Sequence, residues 1–298
     1  MSLLSALARG AEIPVFPAIG TQGLALVESL RSRPGIRLVD TPRHARVLLV
    51  AGELDSQHLR SLERLHAQLP APRGTVWWQA SPLFSHGPRV PDDDPLAAIR
   101  QAAQADEPVL RPDLPPHPWQ GIGPHGQGGK GMMGGTPYGR PMAMTADDIR
   151  DGLALDAYTA CFGPFLPMLP PGLVLELTLQ GDVIVSAQMA SPPFEQGPPG
   201  DAPNLCAARM LRLMGIDIGI DIDIGSPRAR SRGALLALPA GSGMRRRLAK
   251  WLRGDHVTED PAPVSEALPG LEWTEAVLWL ASFAPARLRA VCTKEAVT

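Results

Sequence analysis

The stretch IPVFPAIGTQGLALVESL, residues 13–30, places a strand pattern, a turn and a helix pattern in immediate succession. Residues 13–16 are apolar and predict a strand, and Gly20 and Gly23 mark the turn that follows it. The apolar residues after the turn recur as one face of a helix, at Leu24, Ala25, Val27 and Leu30. The stretch therefore predicts an α/β fold for this part of the chain.

The same alternation continues on the C-terminal side of that stretch. Residues 36–39 and the wholly apolar residues 47–51 predict two strands, of which the second is buried. Residues 56–69 carry leucines at helical spacing, and residues 76–78 predict another strand. Because strands that alternate with helices over short connections are typical of a parallel sheet, residues 1–85 are predicted to form a small α/β domain.

Residues 86–144 are rich in proline and glycine and predict a linker or an extended arm, with one helical piece at residues 94–105. The run HGQGGKGMMGG within it invites comparison with a phosphate-binding loop. Pro124 stands where that motif begins with glycine, and Gly131 stands where Ser or Thr would bind magnesium. We therefore reject a Walker A motif.

The rest of the chain, residues 145–298, predicts an α+β region. Thr145 and Asp148 form a near capping box, which predicts a helix that continues to about residue 162. Residues 173–179 and 183–189 then alternate apolar and polar side chains on either side of a Gln-Gly-Asp turn. This pattern predicts a β-hairpin.

Further helices are predicted at residues 205–214, 244–252 and 273–283. Between the first two, residues 215–225 alternate strictly and place Asp217, Asp221 and Asp223 on one face. The spacing lacks the bidentate glutamate of a calcium loop. We therefore predict an exposed edge strand whose charged side chains prevent it from pairing with another strand.

Composition limits the classes of function. A formal charge of −2 on 298 residues provides no overall field that would attract nucleic acid. The N-terminal residues lack the basic and apolar pattern of a secretory signal, and no apolar run is long enough to span a bilayer. We expect a protein that is soluble or held at a membrane by its partners.

The cysteines and histidines show no spacing typical of a metal site. Cys161, Cys206 and Cys292 are isolated from one another, and an odd number of cysteines argues against a disulfide framework. The seven histidines form no HxH or HExxH pair, and there is no GxSxG nucleophile elbow. We expect three reduced thiols, no metal and no cofactor.

Two segments of the first domain resemble a known family. FPAIGTQGLALVE at residues 16–28 and TPRHARVLLVAG at residues 41–52 are similar to the cluster-carrying small subunit of [NiFe] hydrogenases and of respiratory complex I. The resemblance covers about residues 13–85 and implies a flavodoxin-like domain with a [4Fe–4S] site. Three positions where it implies cysteine ligands hold other residues, Thr21 (or Gly20), Gly23 and Ala80, which supply no thiolate.

A second resemblance begins near residue 131. Residues 148–156 and 163–184 are similar to the opening of the large subunit of the same complexes, where a loop that precedes a hairpin supplies a histidine to the quinone. Leu166 stands at that histidine's position and cannot donate a hydrogen bond or a proton. The chain is thus interpreted as a fusion of a small-subunit-like domain with an N-terminal fragment of the large subunit, with the cluster and quinone ligands replaced.

These features favour a non-catalytic structural subunit of a complex-I-like or hydrogenase-like assembly, which links cytosolic subunits to antiporter-like membrane subunits. It is expected to lie in the cytoplasm, peripheral on the inner face of the membrane. A basic amphipathic helix is the predicted contact with a partner or the membrane, through Arg245, Arg246, Arg247, Lys250, Trp251 and Arg253. An ordinary solvated helix, an assembly factor for such a complex and an enzyme with an unrecognised active site remain alternatives.

Overall fold

Five strands form the first sheet of the computed structural model, which describes residues 12–92, 94–110, 144–145, 152, 155–216 and 229–295. The strands are β1 (Ile13–Ile19), β2 (Ile36–Leu38), β3 (Val47–Ala51), β4 (Gly74–Trp78) and β5 (Arg89–Val90). They lie in the order β2-β1-β3-β4-β5, and every neighbouring pair is parallel. The predicted parallel α/β sheet is confirmed.

Helices cover both faces of this sheet, which explains why the central strands β3 and β4 are buried at every residue. Helices α1 (Leu24–Leu30) and α3 (Leu96–Ala102) pack on one face, against residues such as Val15 and Leu49. Helix α2 (Leu59–Gln68) packs on the other face, where alternate residues of the same strands point.

The unit built on the parallel sheet also includes residues from the segment that follows residue 85. Strand β5 and helix α3 lie within residues 86–144, which were predicted to be a linker, and Ile99 of α3 is fully buried against the sheet. The Glu107 carboxylate accepts hydrogen bonds from the backbone N–H and the hydroxyl of Thr75, at 2.9 and 2.7 Å. The helical piece predicted at residues 94–105 is thus α3, and tertiary packing places it with β5 against the parallel sheet.

A second sheet is antiparallel and lies in the order β6-β7-β8-β9. Its strands are β6 (Met144–Thr145), β7 (Asp156–Phe162), β8 (Val174–Gln180) and β9 (Val183–Ser191). Strands β8 and β9 form the predicted hairpin, and Gly181 in its turn has a φ of +63°, which glycine adopts without strain. The hairpin is confirmed.

Strand β7 occupies residues where the sequence predicted the end of a helix. It pairs with β8 along its length, and the hydroxyl oxygens of Thr159 and Thr178 lie 2.9 Å apart across the two strands. Phe162 stacks on Trp273, with ring centroids 4.9 Å apart. The helix prediction is wrong here because cross-strand pairing and core packing outweigh a local capping signal. Asp148, one of the two residues of that capping signal, lies outside the described residues.

The C-terminal region adds seven helices among the described residues: α4 (Gly197–Gly200), α5 (Pro203–Leu213), α6 (Ala229–Ala237), α7 (Gly243–Leu252), α8 (Val264–Ala267), α9 (Trp273–Ala281) and α10 (Pro285–Glu295). The three predicted helices correspond to α5, α7 and α9. Helices α8, α9 and α10 pack with the second sheet, whereas α5, α6 and α7 form a further core centred on Leu248 and Trp251.

Two predictions fall on residues that the structure does not describe: the aspartates of residues 215–225 and the glycine-rich run in residues 124–135. Within the described ranges, none of the helices is long and apolar enough to cross a membrane.

Candidate functional site

The loops that follow β1, β3 and β4 meet at the carboxyl edge of the parallel sheet. The chain connections of β1 and β3 run to opposite sides of the sheet, so these two strands form its topological switch point. In open α/β sheets this point is where the loops separate and leave a crevice that binds ligands. The crevice beside Gly20–Gly23 and Gly52–Glu53 is therefore the first candidate site.

The side chain of Gln196, from the C-terminal region, fills this crevice. Its Oε1 accepts a hydrogen bond from the backbone N–H of Leu24 at the start of α1, at 2.9 Å. Its Nε2 donates to the carbonyl oxygen of Gly20, at 3.1 Å. Gln196 thus pairs with the Leu24 N–H and with the Gly20 carbonyl, which also accepts from the Gly23 N–H at 3.2 Å, and only 4% of the surface of Gln196 is exposed.

The residues next to Gln196 strengthen the closure. The backbone N–H of Gln22 donates to the carbonyl oxygen of Glu195, at 2.8 Å. Phe194 packs against the α2 side of the sheet and lies edge-on to His58, with ring centroids 5.0 Å apart. Gln196 could not be identified from the sequence, because a single glutamine in a proline-rich loop gives no indication of the distant backbone groups to which it hydrogen-bonds.

The glycines of the crevice leave no room for larger side chains. A Cβ atom on Gly23 would lie 2.0 Å from the Ala51 carbonyl oxygen, and one on Gly20 would lie 2.5 Å from that of Glu53. Both contacts are with backbone atoms, which cannot move aside without displacing the strand ends. A cysteine at Gly20 or Gly23 is thus incompatible with this backbone.

The other two positions that the resemblance assigned to cluster ligands lie at the same edge. The Thr21 backbone N–H donates to the Glu53 carbonyl oxygen at 2.9 Å, and Ala80 is completely buried. The Glu53 carboxylate accepts hydrogen bonds from the backbone N–H and the hydroxyl of Ser81, at 3.0 and 3.1 Å. The structure therefore brings Thr21, Gly23 and Ala80 to the carboxyl edge of the parallel sheet. There they take part in backbone hydrogen bonding, close backbone contact and core packing, respectively.

The cysteines lie elsewhere. Cys161 is exposed, whereas Cys206 and Cys292 are buried. Burial raises the pKa of the Cys206 thiol to about 12, so it stays protonated and unreactive at neutral pH. Among the residues with described positions, no group of three or more His, Cys, Asp or Glu side chains is arranged to hold a metal ion.

Two regions of the chain, the unit built on the parallel sheet and the C-terminal region from residue 155 onward, also border a cavity of about 260 Å³. Helix α1 and the ends of β1 and β2 form one wall, and the loop at residues 164–171 together with α5 forms the other. Leu166, at the position that the resemblance assigned to the quinone histidine, lines this cavity. Its apolar side chain can contribute contact surface there but no hydrogen bond.

An ion pair joins the two regions at the side of this cavity. Arg212 of α5 binds the Glu28 carboxylate of α1 through both terminal nitrogens, at 2.9 and 2.7 Å, and Arg31 adds a contact at 3.1 Å. Burial alone would raise the pKa of Glu28, but the charges of Arg31, Arg212 and Arg209 outweigh it and hold that pKa below its ordinary value. Glu28 is therefore ionised, and it accepts three hydrogen bonds from Arg31 and Arg212.

The predicted basic surface on α7 is only partly available to a partner. Trp251 is 1% exposed and Arg247 is 6% exposed; the Arg247 guanidinium lies 3.9 Å from the ring centroid of Phe283 and donates to Ser282. These two residues are core residues, so the basic surface reduces to Arg245, Arg246, Lys250 and Arg253. Glu259 pairs with both Arg246 and Lys250, and Asp255 pairs with Arg253.

No protein-family model matches this sequence, and no curated protein matches it either. The geometry of the crevice, the cavity and the basic surface is therefore the basis for any functional proposal.

Proposed function

We propose that this chain is a non-catalytic structural subunit of a complex-I-like or hydrogenase-like membrane-associated assembly. The observation that carries the proposal is the closed crevice, in which Gln196 occupies the switch point of the sheet and the glycines exclude cysteine. An α/β domain normally presents its ligand site at that point. A chain that keeps the sheet and fills the site with its own side chain is suited to scaffolding rather than to redox chemistry.

The strand topology supports the interpretation of the first region as small-subunit-like and of the second as large-subunit-like. The strand order β2-β1-β3-β4-β5 is the order of flavodoxin-like sheets, which the resemblance to the small subunit implies. The loop at residues 163–172 leads into the hairpin of β8 and β9, as the resemblance to the large subunit implies. Phe165 of this loop packs against the core on the α2 side of the parallel sheet, which supports a single joined structure for the two proposed parts.

The proposed partners are the protein subunits of that assembly, including antiporter-like membrane subunits. The basic surface of Arg245, Arg246, Lys250 and Arg253 is the proposed contact, either with an acidic subunit or with anionic lipid at the inner face of the membrane. Its pairing with Glu259 and Asp255 lowers its net charge, so the contact is expected to be weak and salt-sensitive.

Co-purification from native membranes tests the proposal. A tagged chain should recover antiporter-like membrane subunits in stoichiometric amounts, and Arg246→Gln with Arg253→Gln should reduce that recovery. Arg60→Gln with Arg64→Gln, two exposed arginines of α2, is the charge-matched control. Transient recovery of immature large subunit alone would instead support an assembly factor.

Metal analysis provides an independent test of the non-catalytic role. The protein purified without oxygen should contain no stoichiometric iron or acid-labile sulfide, and the variant Gly23→Cys with Ala80→Cys should gain none, because its backbone has no room for the first cysteine. A stoichiometric cluster in the unchanged protein would overturn the proposal.

A further inference from the structure

The cavity between the two regions contains an unusual cation. Arg209 of α5 lines the cavity and is 8% exposed. No hydrogen-bond acceptor or ion-pair partner for its guanidinium occurs among the residues whose positions are described. The guanidinium nitrogens are not among the buried atoms that lack a hydrogen-bond partner, so they open to the cavity, where they are placed to receive an anion.

The neighbouring acids are not available to Arg209. Both oxygens of Glu28 are engaged by Arg212, and one of them also by Arg31. Asp40, the other carboxylate that lines the cavity, is exposed to solvent at its edge. Burial lowers the pKa of Arg209, but a guanidinium remains charged at neutral pH. The charges of Glu28 and Asp201 act on Arg209, but among the described residues neither carboxylate forms a hydrogen bond or an ion pair with its guanidinium.

The remainder of the lining is apolar. Ile19, Leu24 and Leu38 form the wall on the side of the parallel sheet, and Phe165, Leu166 and Met168 belong to the opposite wall. Such a lining favours a ligand with an apolar body, whereas a bare inorganic anion would leave these walls without contacts. A cavity of about 260 Å³ has room for a small organic molecule.

We propose that this cavity binds a small organic carboxylate whose carboxylate pairs with Arg209 and whose short apolar body packs between the two walls. A guanidinium binds a carboxylate through two parallel hydrogen bonds, which fixes the orientation of the ligand. The site is separate from the closed crevice and from the basic surface, so it does not depend on the proposed structural role. A bound ligand would join the two regions and stabilise their contact.

Calorimetric titration of the full chain with matched pairs of probes tests this site. Benzoate and hexanoate should bind, whereas their neutral isosteres benzamide and hexanamide should bind at least tenfold more weakly, because the amide cannot neutralise Arg209. Inorganic phosphate and chloride should not compete at equal concentration. Equal binding of acid and amide, competition by the inorganic ions at equal concentration, or no binding of either acid, would overturn the proposal.

Three variants test whether benzoate binds at Arg209 and inside the cavity. Arg209→Gln should weaken benzoate binding at least tenfold while changing benzamide binding little, and Arg60→Gln, which does not line the cavity, should leave both unchanged. Since a buried arginine can matter for folding, Leu166→Trp is a second variant that fills the cavity and leaves Arg209 in place. It should abolish benzoate binding, with folding checked by circular dichroism; unchanged benzoate binding in either folded variant would contradict the assignment.

Discussion

At the scale of single residues, three side chains join the two regions of this protein. Gln196 satisfies backbone groups of the turn after β1, Glu28 binds Arg212, and Phe194 packs on the α2 side of the parallel sheet. Each contact spans more than 130 residues of sequence, and each uses a residue type with no special meaning in a sequence. Their importance arises from burial, because a buried polar group costs free energy unless it is paired.

Replacing Gln196 by alanine should destabilise the protein. The Leu24 N–H would lose the side-chain acceptor that it binds in a buried place, and the Gly20 carbonyl would keep only the Gly23 N–H, so we expect the free energy of unfolding to fall by about 2 kcal/mol. Equilibrium urea unfolding measures this change. Gln101→Ala, an exposed glutamine of α3, should change it by less than about 0.5 kcal/mol. Equal effects of the two substitutions would show that the crevice is not closed by Gln196.

The Glu28 ion pair should make stability depend on pH. The pKa of Glu28 in the folded state lies below its ordinary value of 4.5, so its contribution is present above that pH and is lost as the pH falls through the folded pKa. Glu28→Gln should lower the free energy of unfolding by about 3 kcal/mol at pH 7, since it removes the buried carboxylate charge that pairs with Arg212 and Arg31.

The same variant should differ less from the unchanged protein as the pH falls below 4.5. Thermal unfolding between pH 7 and pH 3 measures the difference, with Glu12→Gln, an exposed glutamate, as the control. A difference that stays constant over this range would contradict the assigned ionisation.

At the scale of elements, the turn between β1 and α1 is the most constrained connection in the described chain around the sheet. The backbone of Gly20–Gly23 approaches the ends of β3 so closely that hydrogen atoms replace side chains there. Because this turn also supplies the groups that Gln196 binds, its shape decides whether the crevice is open or closed.

Gly23→Ala should therefore be strongly destabilising, by about 3 kcal/mol, because the new Cβ would meet the carbonyl of Ala51. Gly233 in α6 is the matched control, since a Cβ there would meet no atom within 4 Å. Gly233→Ala should stabilise the protein by about 0.5–1 kcal/mol, because alanine is the better helix former. Denaturation midpoints for both variants provide the measurement, and a neutral Gly23→Ala would mean that the turn is looser than described.

At the scale of the whole molecule, the parallel sheet and the C-terminal region share buried contacts on several elements. The α1–α5 ion pair, the Gln196 hydrogen bonds and the packing of Phe165 and Phe194 all cross between them. Each region consequently loses part of its own packing if the other unfolds.

Urea unfolding should accordingly be one cooperative transition. Tryptophan fluorescence reports on both regions, since Trp77 and Trp78 are buried in the first and Trp251 in the second, and far-ultraviolet circular dichroism reports on all helices. The two signals should have the same midpoint. Two separated transitions would show that the regions are independent domains with a weak interface.

The sequence by itself determined the local elements whose pattern is strong. The apolar run of β3 predicted a buried strand, the alternation around Gly181 predicted the hairpin of β8 and β9, and the spacing of leucines predicted α2. These segments bury side chains at a regular period, so their own residues carry the information. Strand β7 did not follow from local pattern, because its neighbours in space decide its state. Helix α3 was predicted as a helical piece, but its packing against the sheet was not.

Only the tertiary structure decided the candidate sites. The closure of the crevice by Gln196, the burial of Arg247 and Trp251, and the unpaired Arg209 in the cavity all depend on which distant residues come into contact. A sequence shows that a residue is polar, but the free energy of that residue depends on its partners and on its exposure to water. The sequence shows that Gly20 and Gly23 carry no thiolate, whereas the backbone contacts that leave no room for a side chain at these two positions became visible only in the packed structure.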